Sequence, residues 1–204
     1  MKSAEKPRTW GCTTFDPPLP TAAFCDANVL YPALLRDLLL RLAIAGLCEL
    51  RWSEQVQDEW IRNLVEVYPD RAVALARTRA LMEKALPAAR TEGYESLMPS
   101  LALPDADDRH VLAAAIHSGA QVLLTFNLKD FPAERIPAGR VVVSHPDVWL
   151  ASVMAQDEHL TFTVLNSMAA ALRKPPLNYA QLAAALEKLN LPATASTVRK
   201  LMKP

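Results

Sequence analysis

At 204 residues the chain has the length for one ordinary domain and a small appendage. Hydrophobic residues make up 51% of it and charged ones 22%, which supplies a buried core and excludes a disordered chain. The formal net charge is zero, so there is no standing basic excess for nucleic acid; carboxylates that hold divalent ions make a loaded protein more basic, and neutrality therefore does not exclude such a partner.

Residues 1–20 contain Pro7, Pro17, Pro18 and Pro20 with few apolar residues and read as an irregular arm. Ala22-Ala23-Phe24-Cys25 is a short apolar run that stops at Asp26, the pattern of a buried strand with a polar residue at its carboxyl end. Leu34, Leu35, Leu38, Leu39, Leu42 and Ala43 have helical spacing, which predicts a helix over 32–46 closed by Gly46. Leu47 to Trp52 reads as a second strand. Ser53 is an N-cap, and the helix that it opens carries Val56, Trp60, Leu64 and Val67 on one stripe. Pro69 breaks that helix, and another is expected over 70–86.

A looser stretch through Pro87, Gly93, Pro99 and Pro104 leads to the acidic run Asp105-Ala106-Asp107-Asp108. Asp107 or Asp108 can cap a helix over 109–118, whose Val111, Leu112, Ala115 and Ile116 form a core face and which Gly119 ends. Residues 122–125 and 141–143 read as strands. Beyond Pro146 no strand is expected, only helices over 146–156, 159–173, 178–189 and 194–202. Short apolar strands alternating with amphipathic helices indicate an α/β fold with a mainly parallel sheet and helices on both faces, followed by an all-helical C-terminal extension over 146–204.

No apolar run reaches the roughly 18 residues that span a bilayer. The longest, near Leu34 to Leu50, is interrupted by Arg36, Asp37 and Arg41, and Gly11 to Pro20 is too polar for a signal core, so a cytoplasmic protein is expected. Cys12, Cys25 and Cys48 lack metal-ligand spacing, and Cys25 and Cys48 are expected to be buried free thiols.

Ligands of an open parallel sheet collect at the carboxyl ends of its strands. Asp26 ends the first strand, Asp108 heads a helix, and Asn127 and Asp130 follow a strand directly, while Glu59 lies two turns into its helix beside Val56 and Trp60. Each has an ordinary alternative as a turn, cap or solvated residue. Their joint order suits a hard, oxygen-preferring cation, Mg²⁺ or Mn²⁺, because packed carboxylates need a cation among them. Such a site activates water and neutralises charge on a phosphodiester. His110 and His117 share a helix with no third ligand in view, and His145 and His159 stand alone, so a zinc site is not expected.

That order resembles the PIN domain, and within it the VapC-type toxins of bacterial toxin–antitoxin pairs. The resemblance is carried by Phe24-Cys25-Asp26-Ala27-Asn28-Val29-Leu30, by Ser53 to Trp60, by Asp107-Asp108-Arg109-His110-Val111-Leu112-Ala113-Ala114-Ala115, and by Leu124-Thr125-Phe126-Asn127-Leu128-Lys129-Asp130-Phe131-Pro132. It covers roughly 21–145. It implies a three-layer α/β/α nuclease domain, Mg²⁺-dependent cleavage of RNA, a small antitoxin partner and a homodimer. Asp26, Glu59 and Asp108 match the first three acids, with Asn28 the small polar residue and Thr125 an orienting hydroxyl. The fourth acid falls on Asn127, a departure for which Asp130, or Asp105 or Asp107, would compensate.

The helices after residue 145 resemble the extension of a longer VapC subgroup. Arg173, Lys174, Arg199, Lys200 and Lys203 there would face RNA or antitoxin, or simply solvent. Arg36 and Arg109, and less directly Arg71, Arg77 and Arg79, are expected to contact phosphates. Two rival readings remain: a PIN-like module that binds RNA or protein without cutting, which Asn127 favours, and a phosphatase of the haloacid-dehalogenase type, disfavoured because its second aspartate falls where this chain has Asn28.

Overall fold

The computed structural model describes residues 21–171 and 178–201. The expected arm over 1–20, Cys12, Arg173, Lys174 and Lys203 lie outside the described residues.

The described residues open on β1 (Thr21–Cys25), pass through the single-turn helix α1 (Ala27–Leu30) and α2 (Ala33–Ile44), and return as β2 (Cys48–Ser53). There follow α3 (Glu54–Val67), α4 (Ala72–Ala85), the two-residue β3 (Arg90–Thr91), α5 (Arg109–His117), β4 (Val122–Leu124) and β5 (Val142–Ser144). The strands form one sheet in the order β3-β2-β1-β4-β5, and every pairing is parallel. Ala23 lies opposite both Leu50 and Val122, and Cys25 opposite Leu124. Helices flank the sheet. Ala23, Phe24 and Cys25 are fully buried, as a strand covered on both faces requires.

The chain runs from β1 outward to β2 and β3, then crosses back to the other side of β1 for β4 and β5. That reversal creates a crevice beyond the carboxyl ends of β1 and β4. Asp26 and Thr125 each follow the last residue of one of these strands, and the backbone N–H of Asp26 donates to the Leu124 carbonyl at 3.0 Å.

Local chemistry accounts for most boundaries. Ser53 caps α3 by accepting from the Val56 N–H at 3.2 Å, and Gly46 takes the positive φ of 84° that ends the α2 turn. Two departures from the sequence reading matter. The helix expected over 32–46 is α2, and it is preceded by a single-turn helix, α1, that the apolar spacing does not predict, with Pro32 between them. Asp108 stands at the N-cap of α5 but makes no side-chain capping bond, which leaves its carboxylate free. The two-residue β3 falls in the stretch expected to be irregular, because two residues carry no periodicity. Cys25 and Cys48 are buried free thiols.

Beyond β5 come α6 (Pro146–Gln156), α7 (Glu158–Ala171), α8 (Tyr179–Lys188) and α9 (Pro192–Leu201), with no strand among the described residues. The extension packs on the sheet domain through α7 against α2, where Arg41 donates to the Ser167 hydroxyl at 2.9 Å. Its own core holds Leu165, Met168, Leu182, Leu186, Leu191 and Val198, all buried. Asp147 of α6 accepts from the N–H groups of Ala193 and Thr194 at 2.9 and 2.7 Å, and so caps α9 from another helix. A groove of about 520 Å³ lies between α2, α4 and α7, lined mainly by apolar side chains such as Leu40, Ile44, Leu81 and Val164. No described helix is long and apolar enough to cross a membrane.

Candidate metal centre

The crevice beyond β1 and β4 is a polar cleft of about 280 Å³ lined by Asp26, Ala27, Asn28, Tyr31, Glu59, Asn63, Asp108 and Asn127. Four segments supply it. Asp26 and Asn28 come from the β1–α1 junction, Glu59 and Asn63 from one face of α3, Asp108 from the head of α5 and Asn127 from the turn after β4. No three His, Cys, Asp or Glu side chains among the described residues are gathered into a finished ligand cluster. The acids surround a shared space rather than touching across it.

Asp26 is the most firmly held. Its Oδ1 accepts from the Ala27 N–H at 2.6 Å, and its Oδ2 accepts from the Asn28 amide at 2.6 Å and the Thr125 hydroxyl at 2.7 Å. Asn28 also accepts from the Phe126 N–H at 3.0 Å, and the Thr125 oxygen accepts from the Asn127 N–H at 3.0 Å. One network thus ties the end of β1 to the turn after β4. A carboxylate has about four acceptor positions. Three are used inside the protein, and one is left for a ligand.

The electrostatics are those of crowded like charges. Burial, with Glu59 adding repulsion, pushes the Asp26 carboxyl up to about 6 against its hydrogen bonds. Burial and the charges of Asp26, Asp130, Asp105 and Asp107 raise Asp108 to about 6 as well. Glu59 is raised by burial and by Asp108 and Asp107, with the exposed Arg62 opposing them. Three carboxylates that repel one another, with the amide of Asn127 lining the same cleft and no ammonium or guanidinium there, fit a hard divalent cation.

The other expected residues fall at different distances from this centre. Asp130 does not line the cleft, but its charge is felt at Asp108. Asp107 is exposed, its N–H bonded to the Asp105 carboxylate at 2.9 Å, and it acts on the centre only through its charge.

Arg36 requires correction. It is not a surface phosphate contact but is 6% exposed, stacked 4.3 Å over the Trp60 ring and donating to the carbonyls of Leu30 and Tyr31. The apolar stripe of α2 carries it inward, where aromatic and carbonyl groups satisfy the guanidinium. Arg109 is half-buried, with its Nε enclosed and unpaired among the described residues. Arg79 is engaged by Glu54, Asp58 and Glu83, and Arg71 lies over the Tyr68 ring. Arg199 and Lys200 are paired with Glu187 and Glu158 at 2.7 and 2.5 Å.

Four neighbours of the centre were not anticipated. His110 is 4% exposed, with Nε2 3.6 Å from the Glu59 carboxylate, and burial lowers it to about 4, so it is a neutral ring at pH 7. Asn63 sits one turn beyond Glu59 on the same face, a spacing of four that the sequence does display. Tyr31 follows α1 and completes the rim. His145, which begins the extension by accepting from the Asp147 N–H at 3.2 Å, meets the Phe126 ring edge-on with centroids 5.0 Å apart.

The pattern of the PIN-domain family matches residues 22–129, more than half of the chain, and that of the VapC50 C-terminal domain matches residues 146–200. A curated relative from Mycobacterium tuberculosis (strain ATCC 25618 / H37Rv), named "Putative ribonuclease VapC50", is 36% identical over 94 residues. The match covers 46% of this chain and 55% of the relative, so the chain spans about half the length of the curated relative that it matches. No solved structure matches the chain. The chain belongs to the PIN-domain family and carries a VapC50-type C-terminal domain after it.

Proposed function

We propose that this protein is a divalent-metal-dependent ribonuclease that hydrolyses RNA phosphodiesters, and that it is the toxin of a toxin–antitoxin pair with a small antitoxin as its protein partner. The observation that carries the reading is the meeting of Asp26, Glu59, Asp108 and Asn127, from four separate segments, around one cleft at the reversal point of the sheet. The ribonuclease in the relative's name supports it. The reading takes the protein to be cytoplasmic, where its RNA is, and to form the homodimer implied by the family resemblance.

Asp26, Glu59 and Asp108, with the amide oxygen of Asn127, would hold Mg²⁺ or Mn²⁺. When bound, the ion neutralises charge on a phosphodiester and makes water a better nucleophile near pH 7. The protein's own residues do the positioning. Thr125 and Asn28 fix Asp26 in one orientation. Both Asp26 and Asp108 titrate near 6, so at neutral pH they are ionised and able to ligate. Asn127 offers an oxygen without charge, and Asp130 supplies through space the negative charge that position lacks.

Outer-shell partners of metal sites cost about 10–100-fold when removed, so a ligand should cost at least about a hundredfold. Asp108→Asn is the cleaner variant, because Asp108 makes no capping bond, whereas Asp26→Asn also places an amide against the Asn28 donor. Cleavage of RNA with Mg²⁺ should fall by at least that factor in each, with circular dichroism and melting retained. Full activity in Asp108→Asn would overturn the proposal.

Asn127 favours one alternative, a module that binds RNA without cutting it. Calorimetric titration with Mg²⁺ separates the two: the nuclease binds the ion and cleaves, whereas the silent module has lost the ion site.

A further inference from the structure

The network that fixes Asp26 runs through Ala27, Asn28 and Thr125 and bypasses two cleft residues, Tyr31 and Asn63. Neither is an acid. Both line the cleft from two helices that pack against each other: Tyr31 follows α1, and Asn63 lies one turn beyond Glu59 on α3. Beside the carboxylates the cleft thus offers a phenol ring and a primary amide that the Asp26 network does not engage.

Buried Arg36 holds the Tyr31 backbone in place. Its guanidinium lies over the Trp60 ring of α3 and donates to the Leu30 and Tyr31 carbonyls, so a single cation clamps the end of α1 to the α3 helix. A ring on so fixed a backbone loses little freedom when a partner stacks on it. Tyr31 is half-buried, packs against the core and also lines the cleft. The cleft, at about 280 Å³, falls near the lower bound of about 300 Å³ for ligand pockets and accommodates a single nucleotide-sized group.

We infer that Tyr31 and Asn63 are the substrate-positioning pair of this site: Tyr31 stacks on the base next to the scissile phosphate, and Asn63 hydrogen-bonds that nucleotide's polar edge, so that the phosphate comes to rest over the acids. The inference rests on the ribonuclease reading above. An aromatic face takes any unstacked base, and an amide can read a base edge or a ribose hydroxyl. Asn63 would therefore bias which nucleotide is accepted, and Tyr31 would supply affinity for all of them.

The test uses the full chain, Mg²⁺ and a set of fluorogenic single-stranded RNA oligonucleotides differing at one base. Base–aromatic stacking corresponds to roughly a ten- to hundredfold effect. Tyr31→Ala should lose that much in kcat/KM on every oligonucleotide, mainly through KM, while Tyr31→Phe keeps the activity and calorimetric Mg²⁺ affinity is unchanged in both. Asn63→Ala should flatten the preference among oligonucleotides with Mg²⁺ affinity again unchanged. A purely structural role for Tyr31 would lower melting and Mg²⁺ affinity together and would not be rescued selectively in KM; that outcome overturns the inference. Wild-type cleavage with an equally efficient Tyr31→Ala overturns the inference alone. Mg²⁺ binding with no RNA cut by wild type overturns the ribonuclease reading and this one with it.

Discussion

Asp26 in the sheet domain and Asp147 in the helical extension are each 6% exposed, and the side chain of each accepts three hydrogen bonds. Their surroundings differ in sign. Asp147 faces the N-terminus of α9, where unpaired N–H groups and the helix dipole welcome a negative charge. Asp26 faces Glu59 and Asp108, which resist it. Similar burial and a similar number of donors thus serve opposite ends. One carboxylate closes a helix bundle, and the other stores repulsion that a bound cation would relieve. A buried acid surrounded by donors is structural; a buried acid surrounded by donors and by other acids is a site.

The largest effect that would break this contrast is on the structural side. Asp147→Ala removes the α9 cap and strands the buried Thr194 N–H and the part-buried Ala193 N–H, which should cost about 2–3 kcal/mol in denaturant unfolding. Mg²⁺-dependent cleavage per folded molecule should be retained. A loss below about 0.5 kcal/mol would mean that α9 is held by its apolar face alone.

On the other side, Mg²⁺ binding should weaken in acid. Protons compete for Asp26 and Asp108, which both titrate near 6, so affinity should drop by about tenfold or more between pH 7 and pH 5. Calorimetry at the two pH values reads this directly, and a flat profile would place the ion elsewhere.

The smallest effect is on the metal-free fold. Asp108 holds its proton more tightly in the folded chain than in the unfolded one, where it titrates at 3.8. Stability from this group is therefore greatest below the unfolded value. It declines as pH rises through the window from about 4 to 6 and stays lower above it. Asp108→Asn should consequently raise metal-free stability at pH 7.5 by about 1 kcal/mol, allowing for solvent screening. Destabilisation by Asp108→Asn would mean that Asp108 has a structural partner.

The alternation of strand and helix was legible because short apolar runs and helical stripes are local patterns, and the parallel sheet followed from them. The boundaries of α6 to α9 were legible to within two or three residues for the same reason. Asp26 and Asp108 stood out because each interrupts or heads such a pattern. Arg36 was misjudged because a guanidinium is taken to seek solvent, and nothing local reveals that Trp60, twenty-four residues on, lies where it can stack. Asn63 was legible in principle through its spacing from Glu59 but lacked a reason to be singled out.

The amino-acid sequence by itself therefore determined the elements, their order, the family and the acids that end or begin those elements, since periodicity and capping act within a few residues. Tertiary structure alone decided which polar groups share a space. Thr125 reaches Asp26 across 99 positions, Asp147 caps a helix 46 to 47 positions away, and Tyr31 and Asn63 line one cleft. Those relations depend on crossover and packing, which bring together residues whose separation along the chain carries no signal of their meeting.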